Sequence, residues 1–338
     1  MTDLVPVRPS AELERVDPLA AFVARADAAA RAHQRDRRPP KTVQGYRRDW
    51  EVWTQWVDQV ATPTAGVDVP HTMVTSGLLY AFVVWLDEDL QAPWSTVDRR
   101  ITGVTVEGRT RGAVIDRSVT AAARDYVKAM KADPVKALRG RGKAVGTNPQ
   151  ELRQMAAALP SGPVAAARDQ SLITMSFAIA GRAGEVGYLD TEGITPEGPG
   201  LRVWVPPIKG KPGRVVHVAP GEHRASCPVR SWYAWRRIYT PATGPAYVEV
   251  DRWDNLQEHR LTADACSAVV ARSAQRAGLG RRTGHSQRRG LINTALQEGK
   301  PREKVAAQSG HAAGSKAFDA YVDDAARVSD PTTAGIGL

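Results

Sequence analysis

Arg288 is the residue that most restricts how this chain can fold. Within the segment 284–321, Leu291, Ile292, Ala295 and Leu296 recur at helical spacing, and at about 100° per residue Arg288 falls on their side of the helix. A guanidinium aimed into an apolar interior is costly unless it meets an anion or a carboxylate there, so the fold has to bring one to it. The first turn of the same helix offers free N–H groups and the positive end of the dipole, which suits a phosphate. An isolated HxxR pair such as His285 and Arg288 is more often a surface feature of a frayed turn. Its meaning rests on what else the chain supplies, beginning with Gly310-His311 and with Tyr321 ten residues beyond that histidine.

Charge is distributed in blocks. Residues 99–143 hold twelve basic side chains against four acidic, 202–237 eight against one, and 272–289 six arginines with no acid, whereas 51–90 is acidic. The net charge of +10 is therefore gathered into stretches that can line one surface, as nucleic-acid binders require, although each stretch alone also fits a solvated helix face. At 338 residues the chain is long enough for two ordinary domains. No apolar run approaches the ~18 residues of a membrane span, and the N-terminus lacks a secretory pattern, so a cytoplasmic protein is expected. Cys227 and Cys266 show no metal-ligand spacing, which predicts neither a zinc site nor a disulfide framework.

Residues 1–40 read as an N-terminal arm, with prolines framing an alanine-rich helix. Residues 41–60 predict a helix with Tyr46, Trp50, Trp53, Val57 and Val60 on one stripe, which is a core pattern more than a base-stacking platform. Further helices over 72–88, 95–106 and 117–131 complete an all-α module, 41–135, whose basic residues, Arg99 and Arg100 among them, are placed to face a duplex backbone. Residues 136–148 form a glycine-rich basic linker containing Arg139, Arg141 and Lys143. A mainly α domain, 149–328, follows, with helices over 165–180, 228–238 and 261–277. It contains a β-hairpin built from LRVWVPP and GRVVHVAP, whose turn presents Lys209 and Lys211. Residues 329–338 are a tail. In GRAGEVGYLD, Arg182 and Glu185 lie three apart, equally readable as a structural ion pair or as part of a site. Phe318, Tyr321, Val322 and Ala325 recur at helical spacing, and by pattern alone Tyr321 is a core residue.

Taken in order, Arg182, a hairpin lysine, His285 and Arg288, Gly310-His311 and Tyr321 resemble the active-site set of the tyrosine recombinases, the phage integrase family. GRAGEVGYLD, GHSQRRG and SGHAAGSKAFDAY carry the likeness, with intervals of 26 residues from His285 to His311 and 33 from Arg288 to Tyr321. KTVQGYRRDW and WSTVDRRITGV extend it into the helical module, so that it covers nearly everything from residue 40 onward. The ten-residue step from His311 to Tyr321 is one longer than is usual in the family.

The resemblance implies a multidomain DNA breaking-rejoining fold: an all-α, SAM-like core-binding domain and a mainly α catalytic domain with a small sheet. It implies a site-specific recombinase or integrase, with Arg182, Arg288 and His311 on the phosphate, Tyr321 as nucleophile, His285 as base, and Lys209 as acid, with Lys211 competing for that role. Glu185 supports Arg182. Arg99, Arg100, Arg139, Arg141, Lys143, Lys211 and Arg289 are assigned to the DNA backbone. It further implies double-stranded DNA as partner, a homotetramer on DNA that is monomeric when free, accessory directionality factors, a Holliday junction, and no cofactor, metal or membrane. Two alternatives stay open: a type IB topoisomerase or telomere resolvase using the same chemistry, and a noncatalytic DNA-binding regulator.

Overall fold

The computed structural model describes residues 17–140, 142–208, 210, 212–312 and 314–329. Arg141, Lys209, Lys211 and the tail from residue 330 lie outside the described residues, as do the first sixteen positions of the expected arm. The chain divides into two compact units, Met1–Gly142 and Lys143–Leu338.

In the first unit, α1 (Pro18–Asp36) precedes α2 (Pro40–Trp56), α3 (Ser76–Glu88), α4 (Trp94–Thr110) and α5 (Ala121–Ala132). Helix α2 starts with proline at its first position, where a missing N–H costs nothing. The expected aromatic stripe is the core: Trp50, Trp53 and Trp56 are buried, and Trp53 meets Phe82 edge-on at 5.3 Å. Beyond Trp56 the helix widens to a π-turn over Val57–Ala61, ending at Gly66 with φ +70° after Thr62–Ala65. Trp53, Trp56 and Val57 keep ordinary i, i+3, i+4 spacing, and across the π-turn the buried face passes to Ala61 and leaves Val60 half-buried.

The basic residues of this unit are largely engaged internally. Arg99 bonds the buried Asp49, and Arg100 lies 4.0 Å from the same carboxylate. Burial raises the pKa of Asp49 against the pull of these two arginines. Arg124 pairs with Asp98 at 2.9 Å, while Lys136 and Arg139 both bond the carboxylate of the fully buried Asp87. The residues expected to form a flexible linker are thus fastened. Lys136 and Arg139 tie their stretch to the first unit, and Thr147 N–H donates to the Ser286 carbonyl at 3.0 Å in the second.

The second unit contains α6 (Pro149–Ala157), α7 (Pro163–Ala178) and the short α8 (Ala183–Gly187). An antiparallel sheet follows, β1 (Ile194–Glu197), β2 (Gly200–Val205) and β3 (Arg214–Val218), in the order β1-β2-β3. Leu201, Val203, Val205, Val216 and Val218 alternate inward, while Arg202 and Trp204 face out, as a half-buried sheet requires. The predicted hairpin is β2-β3; β1, and the two-stranded sheet of β4 (Val248–Val250) with β5 (Leu256–Arg260), are additions to that expectation. Both are short and polar along much of their length, which hides them from a periodicity argument.

Between and after these strands lie α9 (Pro228–Arg236), α10 (Ala263–Arg276), α11 (Gly284–Gln297), α12 (Arg302–Ser309) and α13 (Lys316–Ser329). Both cysteines are buried free thiols, and burial pushes Cys266 up to about 12, which makes it inert. No helix among the described residues is long and apolar enough to cross a membrane.

Candidate active site

Helix α11 begins at Gly284, after the N-cap Thr283, and its N-terminus is pressed against α8. A Cβ at residue 284 would lie 2.9 Å from Ala183 Cβ and 3.1 Å from Ser267 Oγ, so only glycine permits the approach. That contact sets the first turn of α11, with His285 and Arg288, beside Arg182 at the cap of α8.

Arg288 is fully buried, as its place on the apolar face predicts. Its Nη1 donates to the Ala180 carbonyl at 2.8 Å and its Nη2 to His311 Nε2 at 2.9 Å. Ala180 sits at φ +47°, a left-handed conformation that side chains other than glycine rarely adopt, and this turns its carbonyl toward the guanidinium. Burial first, then the charge of Arg182, brings Arg288 down to about 10, so it stays a cation at neutral pH, and among the described residues no carboxylate bonds it. Ser309 Oγ donates to the Val305 carbonyl at 2.8 Å and lies 2.9 Å from His311 Nδ1. These bonds are satisfied when Nδ1–H donates to Ser309 and Nε2 accepts from Arg288.

Arg182 caps α8, and Glu185 folds back onto it. The Glu185 carboxylate accepts from Arg182 N–H at 3.0 Å and from Arg182 Nη1 at 2.6 Å. A third donor, Arg214 Nη2, reaches the same carboxylate at 3.0 Å. Burial alone would raise the Glu185 pKa, but the bonds from Arg214 and Arg182 outweigh it and hold the carboxyl below the usual glutamate range. Arg182 keeps about a third of its side chain in solvent, at 34%, and so remains open to a ligand. Arg182, Glu185, Arg214, Gly310 and His311 line a pocket of about 350 Å³ whose rim includes Ile208 and Pro212 of the hairpin turn.

Tyr321 has the packed ring that its helical spacing predicts. Its ring packs in a cluster with Ala180, Ile292, Val305, Ala306 and Phe318, and its exposure is 9%. Its hydroxyl lies 3.5 Å from His285 Nε2, long for a hydrogen bond and within the range of an unliganded catalytic pair. Burial lowers the His285 pKa, and the charges of Arg288, Arg182 and Arg289 lower it further. The depressed pKa favours the neutral imidazole at pH 7.

Of the sequence-predicted residues, Arg182, Glu185, His285, Arg288, His311 and Tyr321 come together. Arg289 stands beside them, bonded to Asp324 on α13 and 5.4 Å over the Tyr321 ring, with Lys143 4.0 Å from the same Asp324. Arg99, Arg100 and Arg139 belong to the other unit and are held by Asp49 and Asp87. The sequence reading missed Arg214. It opens an alternating strand in a basic stretch, and its acidic partner is 29 residues away, a pairing no local pattern encodes.

No protein-family model matches the chain. It is 24% identical over 268 residues to an integrase/recombinase of Selenomonas ruminantium described as a XerD homologue, across 76% of this chain and 74% of that protein. In fold it is similar to a lambda integrase dimer bound to a COC′ core site, with a TM-score of 0.59 and 13% identity over 91% of this chain and 96% of that one. It is also similar to the Tn1549 transposon integrase in complex with transposon right end DNA, with a TM-score of 0.57 and 11% identity over 90% and 96%. A post-cleavage complex of the XerH site-specific recombinase on a palindromic difH substrate gives a TM-score of 0.53 and 15% identity over 76% and 70%.

Proposed function

The chain is a relative of the tyrosine recombinases and carries their fold, and from that premise we propose that it is a site-specific DNA recombinase that cuts and rejoins strands through Tyr321. The observation that carries the reading is the contact of His285 Nε2 with the Tyr321 hydroxyl at 3.5 Å, beside the buried Arg288 and the one-third-exposed Arg182.

A phosphodiester in this pocket carries one negative charge, and attack on phosphorus spreads more charge over its nonbridging oxygens. Arg182 and Arg288 offer forked donors to those oxygens, and His311 adds a third group beside them. A phenol is only about one part in a thousand ionised at neutral pH, so His285 takes its proton as the bond to phosphorus forms. The P–O5′ bond breaks and the leaving oxygen takes a proton from the hairpin lysine, Lys209 in preference to Lys211. The products are a 3′-phosphotyrosine and a free 5′ hydroxyl. Reversal with another strand's hydroxyl rejoins DNA without ATP, because the ester retains the energy of the broken bond. No cofactor enters this scheme.

Within the first unit, residues 41–135 act as the core DNA-binding module, and 149–328 in the second is the catalytic domain. In recombination the chain works as a homotetramer on two double-stranded sites and passes through a Holliday junction, with accessory factors setting direction. Its setting is the cytoplasm, at the nucleoid of a prokaryotic cell.

The test is a nicked duplex carrying the site that the wild-type chain selects from randomised DNA. Wild type is expected to form a protein–DNA adduct stable to denaturing electrophoresis, and Tyr321→Phe none. Binding without any adduct from wild type would leave a noncatalytic binder. On a supercoiled plasmid carrying the same site, relaxation or hairpin formation without strand exchange would point to the topoisomerase or resolvase alternative.

A further inference from the structure

Arg214 is the junction of three segments that each carry part of the site. Its side chain, 14% exposed, donates from Nη2 to Glu185 and, at 3.2 Å, to the Ile179 carbonyl, and from Nε to the Gln308 carbonyl at 3.0 Å. Ile179 immediately precedes Ala180, whose carbonyl holds Arg288. Glu185 holds Arg182. Gln308 lies at the end of α12, three residues before His311. Each of the three ligands of the proposed phosphate is thus linked to the same guanidinium through no more than three intervening residues: Arg182 through Glu185, Arg288 through Ile179 and Ala180, and His311 through residues 308–310.

We infer that Arg214 is a positioning residue for phosphate transfer: through Glu185 it aims Arg182, and through the Ile179 and Gln308 carbonyls it fixes the spacing between Arg288 and His311. The inference rests on the cleavage reading above. Only a guanidinium suits the position. Its planar fork reaches three acceptors from different elements, whereas an ammonium is a compact charge on a flexible stem. The chain also makes room for it, since Gly310 lies at φ +65° and a Cβ there would stand 3.2 Å from Arg214 Nη1. In the pocket lining Arg182 and Arg214 share a single carboxylate, Glu185, so the cavity is cationic before a phosphate arrives.

The experiment measures single-turnover adduct formation on the nicked selected duplex, with DNA affinity and thermal unfolding recorded for each variant. Arg214→Leu is expected to slow adduct formation about 100-fold, the cost of a misplacement of about 1 Å, while DNA affinity stays within about threefold. Arg214→Lys, which retains the charge beside Glu185 but not the carbonyl bonds, is expected to lose about tenfold. In a Glu185→Gln background Arg214→Leu should cost less than in wild type, because the path through Glu185 is already cut. The inference is overturned if Arg214→Leu cleaves within threefold of wild type, or if its loss of cleavage tracks an equal loss of DNA affinity. Should the leucine variant not fold, Arg214→Lys cleaving at the wild-type rate overturns it equally. A wild type that binds the duplex and forms no adduct removes the cleavage reading, and this inference with it.

Discussion

Replacing Glu185 by glutamine tests the electrostatic frame of the pocket. The carboxylate is buried, at 4% exposure, and accepts three hydrogen bonds from two arginines. The amide keeps the shape, turns one acceptor into a donor and leaves Arg182 and Arg214 facing each other without a counter-ion. Removing one partner of a buried ion pair costs about 3–5 kcal/mol. Because Arg182 is one-third exposed and can relax into solvent, the lower end applies, about 3 kcal/mol. For a unit of this size each kcal/mol is worth about 2–4 °C, so the melting temperature should fall by about 6–12 °C at neutral pH.

The pH dependence follows from the depressed Glu185 pKa. A carboxyl whose folded pKa lies below its unfolded value, about 4.3, contributes stability that is fully present above that value and is lost as pH falls through the folded one. The gap between wild type and Glu185→Gln should therefore be constant at neutral pH and narrow only below about pH 4. Circular dichroism melts from pH 3.5 to 8 read this directly, and the adduct assay reports the accompanying loss of Arg182 alignment. A melting temperature within 2 °C of wild type, roughly 1 kcal/mol or less, together with unchanged adduct formation, would refute the reasoning.

Three further outcomes are expected. The single-turnover cleavage rate should be flat from pH 7 to about 9, below the ordinary lysine value of about 10.4, with its acid limb below the ordinary histidine value of about 6.5, since burial and three arginines depress His285; an acid limb at or above that value contradicts its role as base. Gly310→Ala should lower stability by about 1–2 kcal/mol, because alanine is strained at φ +65° and its Cβ crowds Arg214; an unchanged denaturant midpoint would show that the turn adapts freely. Trp53→Ala should destabilise the first unit by about 3–5 kcal/mol, since the ring is fully buried against Trp56 and Phe82 and its Nε1 donates to the His71 carbonyl at 2.8 Å; a loss under about 1 kcal/mol in urea unfolding would place the core elsewhere.

Much of the protein was legible in its residues because the relevant physics is local. The stripe of Trp50 and Trp53 announced a helical core, the alternation in LRVWV and RVVHV announced β2-β3, and the place of Arg288 on an apolar face announced a buried guanidinium. The order and spacing of Arg182, His285, Arg288, His311 and Tyr321 carried the resemblance to the tyrosine recombinases before any contact was known. Tertiary structure decided the rest, because it brings together residues far apart in sequence and no periodicity records such pairs. It alone assigned Arg99 and Arg100 to Asp49 and Arg139 to Asp87, where charge counting had offered them to DNA. It alone turned the Ala180 carbonyl onto Arg288, pressed Gly284 against Ala183, and joined Arg214 to Glu185, Ile179 and Gln308. A guanidinium advertises its charge in the sequence, but which acceptors it reaches depends on the path of the whole chain.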